Sequence, residues 1–124
     1  MKSIVGSLAV AAVLLLTINA SATTSSPVIV VHVTIHGHAE TVQMPGIITF
    51  LPDKVKAGSV VTFKIRNADD TVHNFQIDGY QTRDIGPGGG RALISKVEFK
   101  RPGRYFGSSP SDNHSGIGGT FVVT

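Results

Sequence analysis

Five histidines are the side chains of this sequence best suited to chemistry: His32, His36, His38, His73 and His114. A neutral imidazole ligates copper, zinc or nickel. Met44 adds a soft thioether, which favours Cu(I), and Asp112 adds a hard carboxylate. Cysteine is absent, so thiolate ligation, thiol nucleophiles and disulfides are excluded. Spacing then limits which histidines can act together. In extended chain, His36 and His38 share a face with Cα atoms about 6.6 Å apart, close enough to hold one ion. His32 and His36 would be about 13 Å apart, too far to do so.

Two other arrangements carry less. Ser109, Asp112 and His114 are near one another in sequence, but a serine nucleophile also needs an oxyanion hole and an oriented base, and nothing marks them. The run Gly86-Pro87-Gly88-Gly89-Gly90 lacks the lysine and following helix of a phosphate-binding loop, so it reads as a turn.

The elements that would position these residues are strands. Short alternating or apolar runs recur between Gly, Pro, Asn and Asp, and no stretch sustains helical periodicity with caps. Pro27 to Ile35 reads as a strand with Ile29, Val31, Val33 and Ile35 inward and Val30, His32, Thr34 and His36 outward. Gly37 to Gly46 reads as a loop, and Ile47 to Phe50 as the next strand. From Ser59 to Asn67 the alternation is clearest, with Val61, Phe63 and Ile65 on one face and Thr62, Lys64 and Arg66 on the other. His73 to Ile77 is expected to be a strand. So is Ala92 to Lys100, with Leu93, Val97 and Phe99 inward. Tyr105-Phe106 and Gly119 to Val123 complete the set. About seven short strands in a chain of this length predict an all-β Greek-key sandwich with no long helix.

The first residues read differently. Met1-Lys2 is a positive start, Ile4 to Ile18 is almost wholly apolar, and Ala20-Ser21-Ala22 fits a small-x-small cleavage site. Residues 1–22 are therefore expected to be a signal peptide and residues 23–124 a single domain, periplasmic or secreted, with no membrane span once the leader is removed. Thr23 to Ser26 is a short polar leader. The 124 residues carry a formal charge of +3, and removal of Lys2 lowers it by one. That is too mild for nucleic-acid binding, and no basic cluster interleaved with aromatics is present. The basic, Gly-rich stretch from Arg83 to Arg104 is a solvated face or a partner surface. With no disulfide available, the domain must rely on its apolar core, on bound metal, or on both.

The order of motifs resembles the cupredoxins, the blue-copper protein family. Phe50-Leu51-Pro52, Gly58, Val61-Thr62-Phe63, Asn67, His73, Phe75, Pro102-Gly103-Arg104-Tyr105, His114, Gly119 and Phe121-Val122-Val123 follow the family's order and spacing over roughly residues 47–124. The resemblance implies a cupredoxin-like Greek-key β-sandwich with His73 and His114 as ligands at one end. It also implies that the loop holding His36, His38 and Met44 lies at that end. Two departures follow from the same alignment: Ser109 stands where the family has its cysteine, and Ile117 where it has its axial methionine. A blue-copper centre needs the thiolate, so fast electron transfer is excluded.

The resemblance then implies an exported, non-enzymatic copper-binding protein with a metal site drawn from His73, His114, His36, His38 and Met44. Its cofactor would be Cu(II), or Cu(I) where Met44 takes part, and its role copper storage, buffering or delivery. The alternative is a metal-free cupredoxin-like interaction module with a protein partner at the histidine end. A histidine-brace oxygenase would need an N-terminal histidine, and the expected mature terminus is Thr23. Multicopper oxidases and nitrite reductases use similar domains, but in several copies and with cysteine-containing sites.

Overall fold

The computed structural model describes residues 28–37, 46–110 and 117–124. The expected leader, 1–22, lies outside them, as do His38, Met44, Asp112 and His114. Nine strands make up the described chain: β1 (Val28–His36), β2 (Ile47–Leu51), β3 (Lys54–Val55), β4 (Val60–Asn67), β5 (Gln76–Ile77), β6 (Tyr80–Gln81), β7 (Gly90–Glu98), β8 (Gly103–Ser108) and β9 (Gly118–Val123). No helix occurs among the described residues, and hence none long and apolar enough to cross a membrane. The strand path is β6-β5-β8-β9-β2-β1-β4-β7, with β3 also paired to β9. Pairs β1–β4, β2–β9 and β3–β9 are parallel, while β1–β2, β4–β7 and β8–β9 are antiparallel. Parallel neighbours require crossover connections, so strands distant in sequence lie side by side.

The sheet folds over on itself around an aromatic core. Phe63 on β4 and Phe121 on β9 are not hydrogen-bonded neighbours, yet their rings meet edge-on at 5.5 Å. Phe50, Phe75 and Phe99 surround them at centroid distances of 5.3–6.3 Å. Tilted and edge-to-face rings at such distances add to the burial energy of each ring. The period-two patterning predicted for β1 and β4 holds. Val31, Val33, Ile35, Val61, Phe63 and Ile65 are buried, and His32, His36, Lys64 and Arg66 are exposed.

Two expectations need correction. Leu93 was expected inward with Val97 and Phe99, but it is 58% exposed while Ile94 is buried. A β-bulge causes the difference. The β4–β7 register slips between Val61 and Phe63, and Lys96 opposite that slip adopts φ 58°. One extra residue reverses the inward parity, so even-numbered Ile94 and odd-numbered Val97 share the core face. The second correction concerns His73 to Ile77. His73 makes only an isolated bridge to Ile85, and the regular pairing is a small hairpin, Ile77 opposite Tyr80. Asp78 and Gly79 both have positive φ (48° and 84°), the type I′ geometry of two-residue hairpins.

Candidate functional site

His73 is buried, and it is held by backbone as well as side chain. Its N–H donates to the Ile85 carbonyl at 3.2 Å, and its own carbonyl accepts from the Ile85 N–H at 2.6 Å. The loop leading to it is clamped by Asn67, the fully buried last residue of β4. The Asn67 amide donates to the Thr71 and Ile85 carbonyls, both at 2.9 Å, and its Oδ1 accepts the Asp69 N–H at 3.0 Å. One side chain thus satisfies two backbone groups of the loop and the Ile85 carbonyl of the segment bridged to His73.

This loop turns Asp69 back onto the ring. Asp69 Oδ2 lies 2.5 Å from His73 Nε2, and Thr71 Oγ1 donates to the same carboxylate oxygen at 3.0 Å while sitting 3.2 Å from Nε2. On the other side of the ring, His73 Nδ1 faces Ser109 Oγ at 3.3 Å. The carboxylate also packs against Gly37 at the end of β1, where a Cβ would fall 1.8 Å from Asp69 Oδ1. A side chain at position 37 would therefore push the Asp69 carboxylate aside.

Burial pushes the Asp69 carboxyl upward, but hydrogen bonds from His73, from the Asp70 N–H and from Thr71 outweigh it, and the pKa falls from 3.8 to about 2. Asp69 is thus ionised at neutral pH and can only accept, which assigns the proton to Nε2. In the neutral ring Nδ1 is then the lone-pair nitrogen, and the Ser109 hydroxyl donates to it. A carboxylate that fixes the tautomer and rotation of an imidazole is the usual outer partner of a metal-ligating histidine.

The residues present do not fit a blue-copper centre, which needs a thiolate. Ser109 stands beside Nδ1 of His73 and brings a hydroxyl, not a thiolate. Ile117 is buried and has no donor atom. His36 is exposed at the end of β1, where its Nε2 meets Thr49 Oγ1 at 3.2 Å across the β1–β2 pair, so its ring engages Thr49 and not His73. No group of three or more His, Cys, Asp or Glu side chains able to hold a metal ion occurs among the described residues. Of the five residues expected to supply ligands, His73 and His36 are described; His114, His38 and Met44 are not.

Two partners were missed by sequence reasoning. Asp69 had a legible signal, a carboxylate four residues before the histidine in Asp69-Asp70-Thr71-Val72-His73, but its use depends on a turn that spacing alone does not reveal. Thr71, which bridges the pair, had none. The Asp69–His73–Ser109 chain has the atoms of a hydrolytic relay and differs from the Ser109, Asp112, His114 grouping weighed on sequence. Ser109 is buried, at 5% exposure.

No family model matches the chain, and no curated protein matches it in sequence. Solved structures do match. A dithionite-reduced auracyanin from Roseiflexus castenholzii superposes with a TM-score of 0.51 at 15% identity, covering 82% of this chain and 99% of that one. Auracyanin B matches with a TM-score of 0.53 at 17% identity, over 82% and 93% of the two chains. A multicopper oxidase matches at 0.50 and 17% identity over 82% of this chain, which spans 45% of the oxidase. Identities this low speak to the fold, and the fold is the all-β, cupredoxin-like sandwich, here in a chain without cysteine.

Proposed function

We propose that this cupredoxin-like domain is an exported copper-binding protein whose site rests on histidine, and that it serves copper storage, buffering or delivery. The single observation behind the reading is the His73 ring held by the Asp69 carboxylate. Asp69 holds Nε2–H and leaves Nδ1 as a lone pair directed at the position where the family carries its thiolate. His73 and His114 are the principal ligands in this proposal, with His36, His38 and Met44 as candidates to complete the set. His36 would first have to leave Thr49. Copper held by imidazole and oxygen donors, without thiolate, exchanges readily and colours weakly, which suits handling of the ion more than electron transfer. The likeness in fold to a protein named as a multicopper oxidase is consistent with a copper-related role. The residues themselves prepare the site in three ways. Asn67 fixes the loop, Asp69 fixes the tautomer, and burial of His73 excludes competing water. A leader at residues 1–22 and a periplasmic or secreted location belong to the same proposal.

Calorimetric titration with Cu(II) under a competing chelator tests it. One ion per chain is expected, with His73→Ala weakening binding strongly; unchanged stoichiometry and affinity in that variant would sink the assignment.

One observation favours a second reading, a metal-free interaction module. The Ser109 hydroxyl already satisfies Nδ1, and Ile117 fills its place with buried hydrocarbon, so the site is complete as an internal hydrogen-bond relay. The same titration separates the two, because a relay of this kind binds no stoichiometric copper.

A further inference from the structure

The outer face of the β2-β1-β4-β7 sheet carries a charge pattern that the copper site does not use. Register places its residues in rows. Leu51, His32, Lys64 and Leu93 form one row, and Thr49, Thr34, Arg66 and Arg91 the next. Arg66 and Arg91 are directly opposite, so two guanidinium groups leave the sheet from neighbouring positions about 5 Å apart. Lys64 follows two residues along β4, about 7 Å away on the same face. Like charges directly opposite destabilise a sheet. Neither Lys64, Arg66 nor Arg91 has an ion-pair partner among the described residues. Glu98, at the far end opposite Val60, pairs with Lys100 instead. An open depression of about 390 Å³ lies among the cations, lined by Lys64, Arg91 and Leu93 over the strand backbone at Ile65 and Ala92. Leu51 and Leu93, 72% and 58% exposed, close the first row at both ends.

We propose that this face docks the acidic surface of a protein partner. Charge complementarity selects the chemistry, since three cations without an ion-pair partner among the described residues call for an acidic counterpart. The flanking leucines select the kind of partner. They match the apolar contact area of a folded protein and have nothing to offer a glycan or a phosphate chain. A formal charge of only +3 for the whole chain also sets this local patch apart from the broad basic surfaces that bind nucleic acid. The bulge at Lys96 shifts the β4–β7 register beyond Ile94, so the docking area is the half of β7 from Gly90 to Ile94 with its partners on β4 and β1.

Amide NMR of the labelled full chain, titrated with an oligoglutamate peptide at low salt, tests the proposal, with a heparin-derived oligosaccharide and inorganic phosphate as parallel probes. Shifts are expected with oligoglutamate at Lys64, Arg66, Arg91 and Leu93. Arg66→Ser with Arg91→Ser should weaken that binding about tenfold. Lys54→Ser with Lys56→Ser, which removes the same charge elsewhere, should leave it unchanged. Melting temperature should not fall in the arginine variant, because a repulsive pair is removed. Shifts spread over all lysines and arginines, or equal weakening by both variants, would overturn the proposal. Binding of heparin at this face with none of oligoglutamate would assign it to an anionic glycan and overturn the protein partner.

Discussion

Asp69→Asn is the substitution that probes the site most directly. The side chain keeps its shape and an acceptor oxygen but loses its charge. In the parent, a carboxyl pKa lowered from 3.8 to about 2 corresponds to at most about 2.5 kcal/mol of preference for the ionised form in the folded state. The carboxylate keeps 14% exposure, so solvent screening reduces this to about 1–2 kcal/mol. The sign follows from the direction of the shift. The folded pKa is depressed, so the stabilisation is fully present above the ordinary value of 3.8 and is lost as pH falls through about 2. Urea unfolding should therefore show Asp69→Asn less stable by about 1–2 kcal/mol at pH 7, with the deficit shrinking between pH 4 and pH 2. The same variant frees the His73 ring to place its proton on either nitrogen, which ring ¹⁵N shifts report. Under the copper reading, affinity should drop about 10–100-fold, the usual cost of losing an outer-shell carboxylate. A variant as stable as the parent at pH 7, or a deficit that does not change with pH, would refute the reasoning.

Other substitutions test neighbouring parts of the account. Ser109→Cys should place a thiolate beside His73 Nδ1, and Cu(II) should then give an intense visible absorption band that the parent lacks and that the added change His73→Ala abolishes. Gly37→Ala should displace the Asp69 carboxylate and reproduce the pH-dependent deficit of Asp69→Asn in the same unfolding assay. Phe63→Ala, at the centre of the ring cluster, should cost about 3–5 kcal/mol by chemical denaturation. Leu93→Ser should change stability by less than about 0.5 kcal/mol, and Ile94→Ala should lower it by about 2–4 kcal/mol; the reverse order would place the bulge wrongly.

Much of the fold was legible because alternation along β1 and β4 is a direct print of which face meets the core, and because the motif order from Phe50 to Val123 constrains the connections. Leu93 was misread for a physical reason. A bulge at a non-glycine residue, Lys96, resets the parity of β7, and side-chain type gives no warning of it. The β5–β6 hairpin did have a signal, Asp78-Gly79, whose positive φ values suit a type I′ turn, but two-residue strands are too short for alternation to register. At the site, spacing from Tyr105 drew attention to Ser109, while its contact with His73 Nδ1 comes from the fold. The role of Asp69 was hidden, because it depends on Asn67 folding the loop back over three hydrogen bonds, and such a contact leaves no periodic trace. The outward position of His36 was read from strand parity, while its engagement with Thr49 comes from the diagonal pairing of β1 with β2.

Electron paramagnetic resonance of the purified protein during titration with Cu(II) addresses the central claim. The account predicts a spectrum with nitrogen hyperfine structure that saturates at one copper per chain and is lost in His73→Ala. An aquo-like signal with no stoichiometric endpoint, the same in parent and variant, would contradict copper binding and leave the Asp69–His73–Ser109 relay as internal scaffolding.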